Sequence, residues 1–349
     1  MKNTSQTPHK SMKKFSHKQI AAQSGLSLAT IDRALHQRGR VHPQTQQRIR
    51  QAMADLELQY KAGLAQGRTL WFDVILHTPQ RFSELVREAF ISQIASFASF
   101  RIQLRFHCFE QIGVAQLDAL LKKCGSDSHG IILKAMHDPA LEPTLAVLLK
   151  QRVPVVTIVT DLPESARLRY IGMDNASAGE AAAFLMSRWL KRGNARIMAV
   201  TGSDDFTGEQ ERIAGFRRAM SRFDAGCTVK VVAGGFGIDA EMYHSVSAAL
   251  AEELPPDGLY TVGGGNGGIL QALAERGIRP DAIIAHDLDR ENRALLQAGQ
   301  IDVLIEHNLQ LDAQHAFRTL LGFHHFLPES TPWAPWSRIN VITRYNMPS

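Results

Sequence analysis

Between residues 70 and 310, unbroken apolar runs alternate with stretches whose apolar positions recur every three or four residues. LWFDVILH (70–77), IQLRFHCF, GIILKAM and VVTIV (155–159) are runs of the first kind. RFSELVREAFISQIASFA, GVAQLDALLKKC and PALEPTLAVLLKQ lie between them and are of the second. Short continuous apolar runs predict strands buried on both faces, and the periodic stretches predict the helices that cover them. After YIGMDNASAGEAAAFLMSRWLKRG the alternation resumes with RIMAVTG, TVKVVAGGF, GLYTV, AIIAHD and DVLIEH. Two parallel α/β halves make the crevice at their strand carboxyl ends the natural ligand site. The tail, with Pro328, Pro332 and Pro335, ends in the strand-like INVITRYN. It is expected to return to the body, with Trp333 and Trp336 at the surface or at a subunit contact.

The first 60 residues follow another pattern. Ile20, Ala21, Leu26, Ile31, Ala34 and Leu35 form two short helical stripes separated by SGLS, and Ile49, Ala52, Met53 and Leu56 form a third. Gly25 can take a positive φ in a sharp turn, Ser27 can cap the second helix, and Pro43 suits the first turn of the third. Two short helices around a glycine turn, braced by a third, are a helix-turn-helix unit. Charge sets this head apart. Residues 1–68 hold twelve Lys/Arg against three acids, whereas the remainder holds 27 bases and 31 acids. A basic head on a mildly acidic body points to a polyanion as the head's partner.

The run I-A-x-x-S-G-L-S-x-A-T-I-x-R-A-L, from Ile20 to Leu35, resembles the DNA-binding head of the lactose-repressor (LacI) family of bacterial regulators. In that family the second helix enters the major groove. The resemblance therefore implies that Leu28, Ala29 and Arg33 face the bases while Ser27 and Thr30 reach phosphates. Family members follow the third helix with a proline-containing hinge that folds on DNA and wedges a leucine into the minor groove. Here LQYKAGLAQGRTL lacks the proline and carries Gly63 and Gly67, leaving Leu64 as the only candidate wedge. The expected layout is a disordered basic tail (1–14), the helix-turn-helix domain (15–59), a hinge (60–68) and an effector-binding body (69–349). The body resembles the family's type I periplasmic-binding-protein-like domain of two doubly wound parallel-sheet subdomains. These are expected at about 69–162, with a late crossover segment, and at about 175–325, with a return strand at about 338–346.

GGGNGG (263–268) fits the dinucleotide fingerprint G-x-G-x-x-G, and Asp281 and Asp287 follow it. The resemblance gives the stretch another use, as the loop where Asn266 meets an effector beside Arg212 and Asp287. Arg and Asp on opposite walls would engage paired hydroxyls of a sugar or polyol. Strand ends add His77, Lys134, Asp161 and His307, and Phe82 and Phe206 offer faces for a sugar ring. Lys134 and His137, with Arg212, make the expected cleft more basic than a neutral-sugar pocket, which admits a sugar acid or sugar phosphate.

No nucleophile–base pair or phosphate-transfer motif stands out, and Cys108, Cys124 and Cys227 form no C-x-x-C pair. An enzyme, a metal centre, a cofactor and a disulfide framework are not expected. No apolar run reaches the ~18 residues of a membrane span, and no apolar stretch follows the basic start as a secretory signal would. The expected partners are operator DNA, a small effector and a second copy in a homodimer or tetramer, all in the cytoplasm. An NAD(P)-binding oxidoreductase or redox-sensing regulator using GGGNGG is the alternative.

Overall fold

The computed structural model describes residues 15–36, 38, 41–66, 69–190, 193–252, 254–327 and 336–348, with the side chains of 58–66 outside the description. The basic tail, Gly67, the three tail prolines and Trp333 lie outside the described residues. The chain divides into two compact units, a helical head and an α/β body.

In the head, α1 (His17–Ser24) begins with a capping box. The Ser16 hydroxyl accepts from the Gln19 amide, and the Gln19 side chain accepts from the Ser16 amide. Gly25 ends α1 at φ 64°, a left-handed conformation that glycine adopts without a Cβ penalty. α2 (Leu28–Leu35) is capped by Ser27, which accepts from the Thr30 amide at 3.2 Å. Ile20, Ile31 and Ile49 form the shared core, and Arg48 donates to the Ser24 carbonyl at the end of α1. α3 spans Pro43–Gln66, so the expected hinge residues 60–66 continue the helix. Lys61, Ala62, Leu64, Ala65 and Gln66 favour helix there, and no proline interrupts it; Gly63 opposes it at a cost of about 1 kcal/mol.

The body holds two sheets. The N-half sheet runs β2 (Arg101–Phe109), β1 (Thr69–His77), β3 (Gly130–Lys134), β4 (Val155–Ile158), β5 (Arg169–Ile171). Its helices are α4 (Gln80–Gln93), α5 (Val114–Cys124) and α6 (Glu142–Lys150). The chain then crosses into α7 (Asn175–Trp189), β6 (Arg196–Thr201), α8 (Thr207–Phe223), β7 (Thr228–Ala233) and α9 (Asp239–Glu252). β8 (Gly258–Thr261), α10 (Asn266–Glu275), β9 (Ala282–His286), α11 (Arg290–Gln297) and β10 (Val303–Glu306) complete that half. The C-half sheet has the order β11-β10-β9-β8-β6-β7. All its pairings are parallel except that of β11 (Asn340–Ile342) with β10, so the return strand is present but shorter than expected.

The expected C-subdomain boundary near 325 needs correction. α12 (Leu309–Phe323) returns to the N-half, where Phe317 packs against Phe72, Phe90 and Phe97 at centroid distances of 5.4–6.2 Å. A Cβ on Gly130 in β3 would lie 2.8 Å from Leu320 of this helix. The continuous run of the C-half therefore ends with β10, and β11 rejoins its sheet after α12. Among the described residues no helix is long and apolar enough to cross a membrane.

Candidate functional site

Parallel strands carry their loops and the following helix N-termini to one edge, and both sheets turn that edge toward a common cleft. Thr78 follows β1, Lys134 ends β3, and Val159 and Thr160 follow β4. From the C-half come Val262–Gly264 after β8, His286, Asp287 and Asp289 at the end of β9, and Phe206, Glu209 and Arg212 at the start of α8. The cleft encloses about 520 Å³ with its open mouth included.

Five residues expected from the sequence meet here: Phe82, Lys134, Phe206, Arg212 and Asp287. Arg212 is buried, and each of its three nitrogens has a protein acceptor. It donates from Nε to Asn175 Oδ1 (2.9 Å), from Nη1 to the Val262 carbonyl (2.9 Å) and from Nη2 to His307 Nε2 (2.6 Å). Burial and the Arg212 charge hold His307 neutral, well below the usual histidine range, which leaves Nε2 free to accept.

Lys134 crosses toward the C-half. Its Nζ donates to the His77 carbonyl at 3.1 Å and sits 4.2 Å from the Phe206 ring centroid and 6.0 Å from that of Phe82. Burial lowers its pKa to about 8, a shift opposed by Glu209 and Asp287 and reinforced by Arg212. Asp287 sits at φ 67°, and its Oδ1 is buried with no hydrogen-bond partner. Burial pushes its pKa up to about 7 against the pull of Arg212. The cap of α11 is Asp289, which accepts from the Asn292 amide, so Asp287 is not consumed in capping.

The other expected effector residues go elsewhere. Asn266 is buried, accepting from Thr261 Oγ1 and donating to Asn292 Oδ1 at 2.7 Å each, and does not line the cleft. Asp161 is held by Arg167 and Thr157. His77 lies behind the wall, its ring edge-on to Phe206 and its pKa lowered by burial to about 4. His307 supports Arg212 from behind and lines an adjacent cavity. The His137 amide donates to the Asp205 carbonyl, and its side chain does not line the cleft.

Several cleft groups were not found from the sequence. Arg81, in the first turn of α4, reaches across the cleft and donates from Nε to Asp289 Oδ2 (2.9 Å) and from Nη2 to the Gly237 carbonyl (2.7 Å). Gly264 makes room for it, because a Cβ there would lie 2.1 Å from Arg81 Nη2. Glu209 ties down its own loop by accepting from Thr201 Oγ1 and the Gly202 amide. Position in the first turn after a strand was the available signal for Arg81. The glycines of GGGNGG are explained by close approaches. Gly268 abuts the Asp239 carbonyl, and Gly264 and Gly265 adopt positive φ.

In the head, Leu28, Ala29 and Arg33 on α2 are exposed, while Ser27 and Thr30 share a 2.9 Å hydroxyl hydrogen bond. Arg33 Nε donates to the Ala29 carbonyl. Leu64 lies in α3, with its side chain outside the described residues.

Residues 17–61 match the model for bacterial regulatory proteins of the lacI family, and residues 110–321 match that for a periplasmic binding protein domain. The chain belongs to the periplasmic binding protein domain family and carries a lacI-family domain at its head. A curated relative of this chain is the HTH-type transcriptional regulator DegA of Bacillus subtilis (strain 168), 25% identical over 210 residues. That match covers 58% of this chain and 59% of the relative, so the chain spans about three fifths of the relative's length. Among solved structures, GanP, a glucose-galactose binding protein from Geobacillus stearothermophilus, is similar with a TM-score of 0.71 and 20% identity, over 81% of this chain and all of that one. A solute binding protein from Burkholderia graminis C4D1M in complex with D-arabinose is similar with a TM-score of 0.69 and 19% identity, over 80% of this chain and 97% of that one. At these identities the structural likeness shows the fold of the body.

Proposed function

We propose that this chain is an effector-responsive, sequence-specific DNA-binding regulator of transcription. In this reading it is a repressor of carbohydrate or polyol genes that works in the cytoplasm as a homodimer on a two-fold operator. The observation that carries the reading is the pairing, on one chain, of a capped helix-turn-helix with an exposed reading face and an α/β body with a charged, aromatic-walled cleft. The sugars named for the structural neighbours, glucose, galactose and D-arabinose, support a polyhydroxylated ligand in that cleft. Phe82 and Phe206 supply apolar faces for its carbon skeleton, and Asp287 supplies an acceptor for its hydroxyls.

The mechanism is linkage. Ligand that favours one arrangement of the two body halves changes operator affinity by a factor α, and DNA changes ligand affinity by the same factor. The test selects a DNA duplex from a random pool on the full-length chain and then titrates the complex with sugars and polyols, read by fluorescence anisotropy. Release or tightening by one ligand, lost in Asp287→Ala, supports the reading. A selected duplex that no cleft ligand affects would remove the effector half of it, and failure to select any duplex would remove the DNA half.

A further inference from the structure

We infer that the ligand of this cleft carries an anionic group, a carboxylate or phosphate on a polyhydroxylated skeleton, and that Lys134 selects it. The inference rests on the reading of the cleft as an effector site.

Lys134 is 6% exposed, so its ammonium has left bulk water. An ammonium has three N–H donors, and among the described residues this one meets a single acceptor, the neutral His77 carbonyl. Its other neighbours are the rings of Phe206 and Phe82, whose faces attract a cation but accept no full hydrogen bond. Burying a cation without a carboxylate partner is costly, and the depressed pKa of about 8 reflects that cost.

The remaining cleft charges are committed. Arg81 is tied to Asp289 and the Gly237 carbonyl, all three donor nitrogens of Arg212 have protein partners, and Glu209 anchors the Thr201–Gly202 loop. Asp287, raised to about 7, holds its proton much of the time near neutrality, so the uncommitted charge of the cleft is positive. Asp287 Oδ1 also lacks a donor. A ligand with anionic oxygens at one end and hydroxyls at the other satisfies both groups. The oxygens accept charge-assisted hydrogen bonds from Lys134, the hydroxyls donate to Asp287, and the carbon skeleton lies along Phe82 and Phe206. A neutral sugar satisfies Asp287 and leaves Lys134 with weaker acceptors.

Calorimetric titration of the full-length chain with aldonates and uronates, the matching sugar phosphates, and the parent neutral sugars and polyols tests this. The acids are expected to bind roughly tenfold or more tightly than their parents. Lys134→Met should abolish that preference, and Lys122→Met, on the outer face of α5, should keep it. The relative affinities of the carboxylate and phosphate arms identify the anion.

Since Lys134→Met also alters the packing against Phe206, the pH profile of the unmodified chain is the second readout. Lys134 faces Glu209, Arg212 and Asp287, beside the Arg81–Asp289 pair and the neutral His77 and His286. As pH rises from 7 to 9, Asp287 gains negative charge and Lys134 loses its positive charge, so acid affinity should fall while parent-sugar affinity changes little. Parents that bind as tightly as acids, or a preference that survives Lys134→Met with a flat pH profile, would overturn the inference and leave the effector reading standing. No binding by any member of the panel would overturn both.

Discussion

At the residue scale, Arg81 and Gly264 act as a matched pair. The missing Cβ of Gly264 leaves the space through which Arg81 bonds to the far wall, and its φ of 86° disfavours any other residue. Gly264→Ala should destabilise the body by about 1–3 kcal/mol, from backbone strain and lost hydrogen bonds. Because Arg81→Ala removes the same bonds, the double variant should lose less than the sum of the single losses in urea unfolding. Additive losses would mean that Gly264 serves only its own backbone.

Asp287 gives a second prediction. Its folded-state pKa, about 7, lies above the unfolded value, so the folded chain binds the extra proton and stability falls as pH rises from about 4 to 7. The buried histidines His77, His286 and His307, all lowered, act oppositely and cost stability as pH falls below about 6.5. Asp287→Asn should therefore be more stable than the parent at pH 7 by up to a few kcal/mol, with the difference vanishing near pH 4. A difference independent of pH would refute the titration.

At the element scale, α7 and α8 approach closely enough that a Cβ on Gly215 would lie 2.1 Å from the Ala176 carbonyl, and one on Gly179 would lie 2.0 Å from that of Arg212. The contact fixes α8, and with it Arg212 and Glu209. Gly215→Ala should cost about 1–3 kcal/mol by overpacking and should also weaken ligand binding, although Gly215 does not line the cleft. A full loss of stability with unchanged affinity would uncouple the helix contact from the site.

This scale also explains what the sequence made legible. Continuous apolar runs and period-3.6 patterns are local, so the head, the parallel halves and ten of the eleven strands among the described residues could be read directly, whereas β5 (Arg169–Ile171) offers only two apolar positions and no run. A strand end located Lys134 for the same reason, whereas Arg212 and Asp287 came from the family resemblance. Arg81 with Asp289 was not legible because the partners are 208 residues apart and meet only across the cleft. Asn266 and Asp161 misled because a polar residue at a strand end can equally serve its neighbours, as Thr261, Asn292 and Arg167 show.

At the scale of the whole molecule, the proposed function assigns ligand and DNA to different units, so the two should be separable. A cleft ligand at a hundred times its Kd should stabilise the folded body by about 2.7 kcal/mol in a thermal melt. Arg33→Ala, on the exposed face of α2, should leave that shift intact while weakening or relaxing DNA selection by about 1–3 kcal/mol. Loss of the ligand shift in Arg33→Ala would contradict the separation.

The route of the chain has a consequence for its birth. β1 to β5 are complete by Ile171, but the helix that covers Phe72 starts at Leu309, after the whole C-half has been made. At about 5–20 residues per second, an emerging chain holds an uncovered apolar sheet face on the order of ten seconds. The C-half sheet from β6 to β10 is contiguous in sequence and can form in that interval. The half that begins first thus waits for almost the whole chain, and only the return strand β11 is made after the helix that closes it.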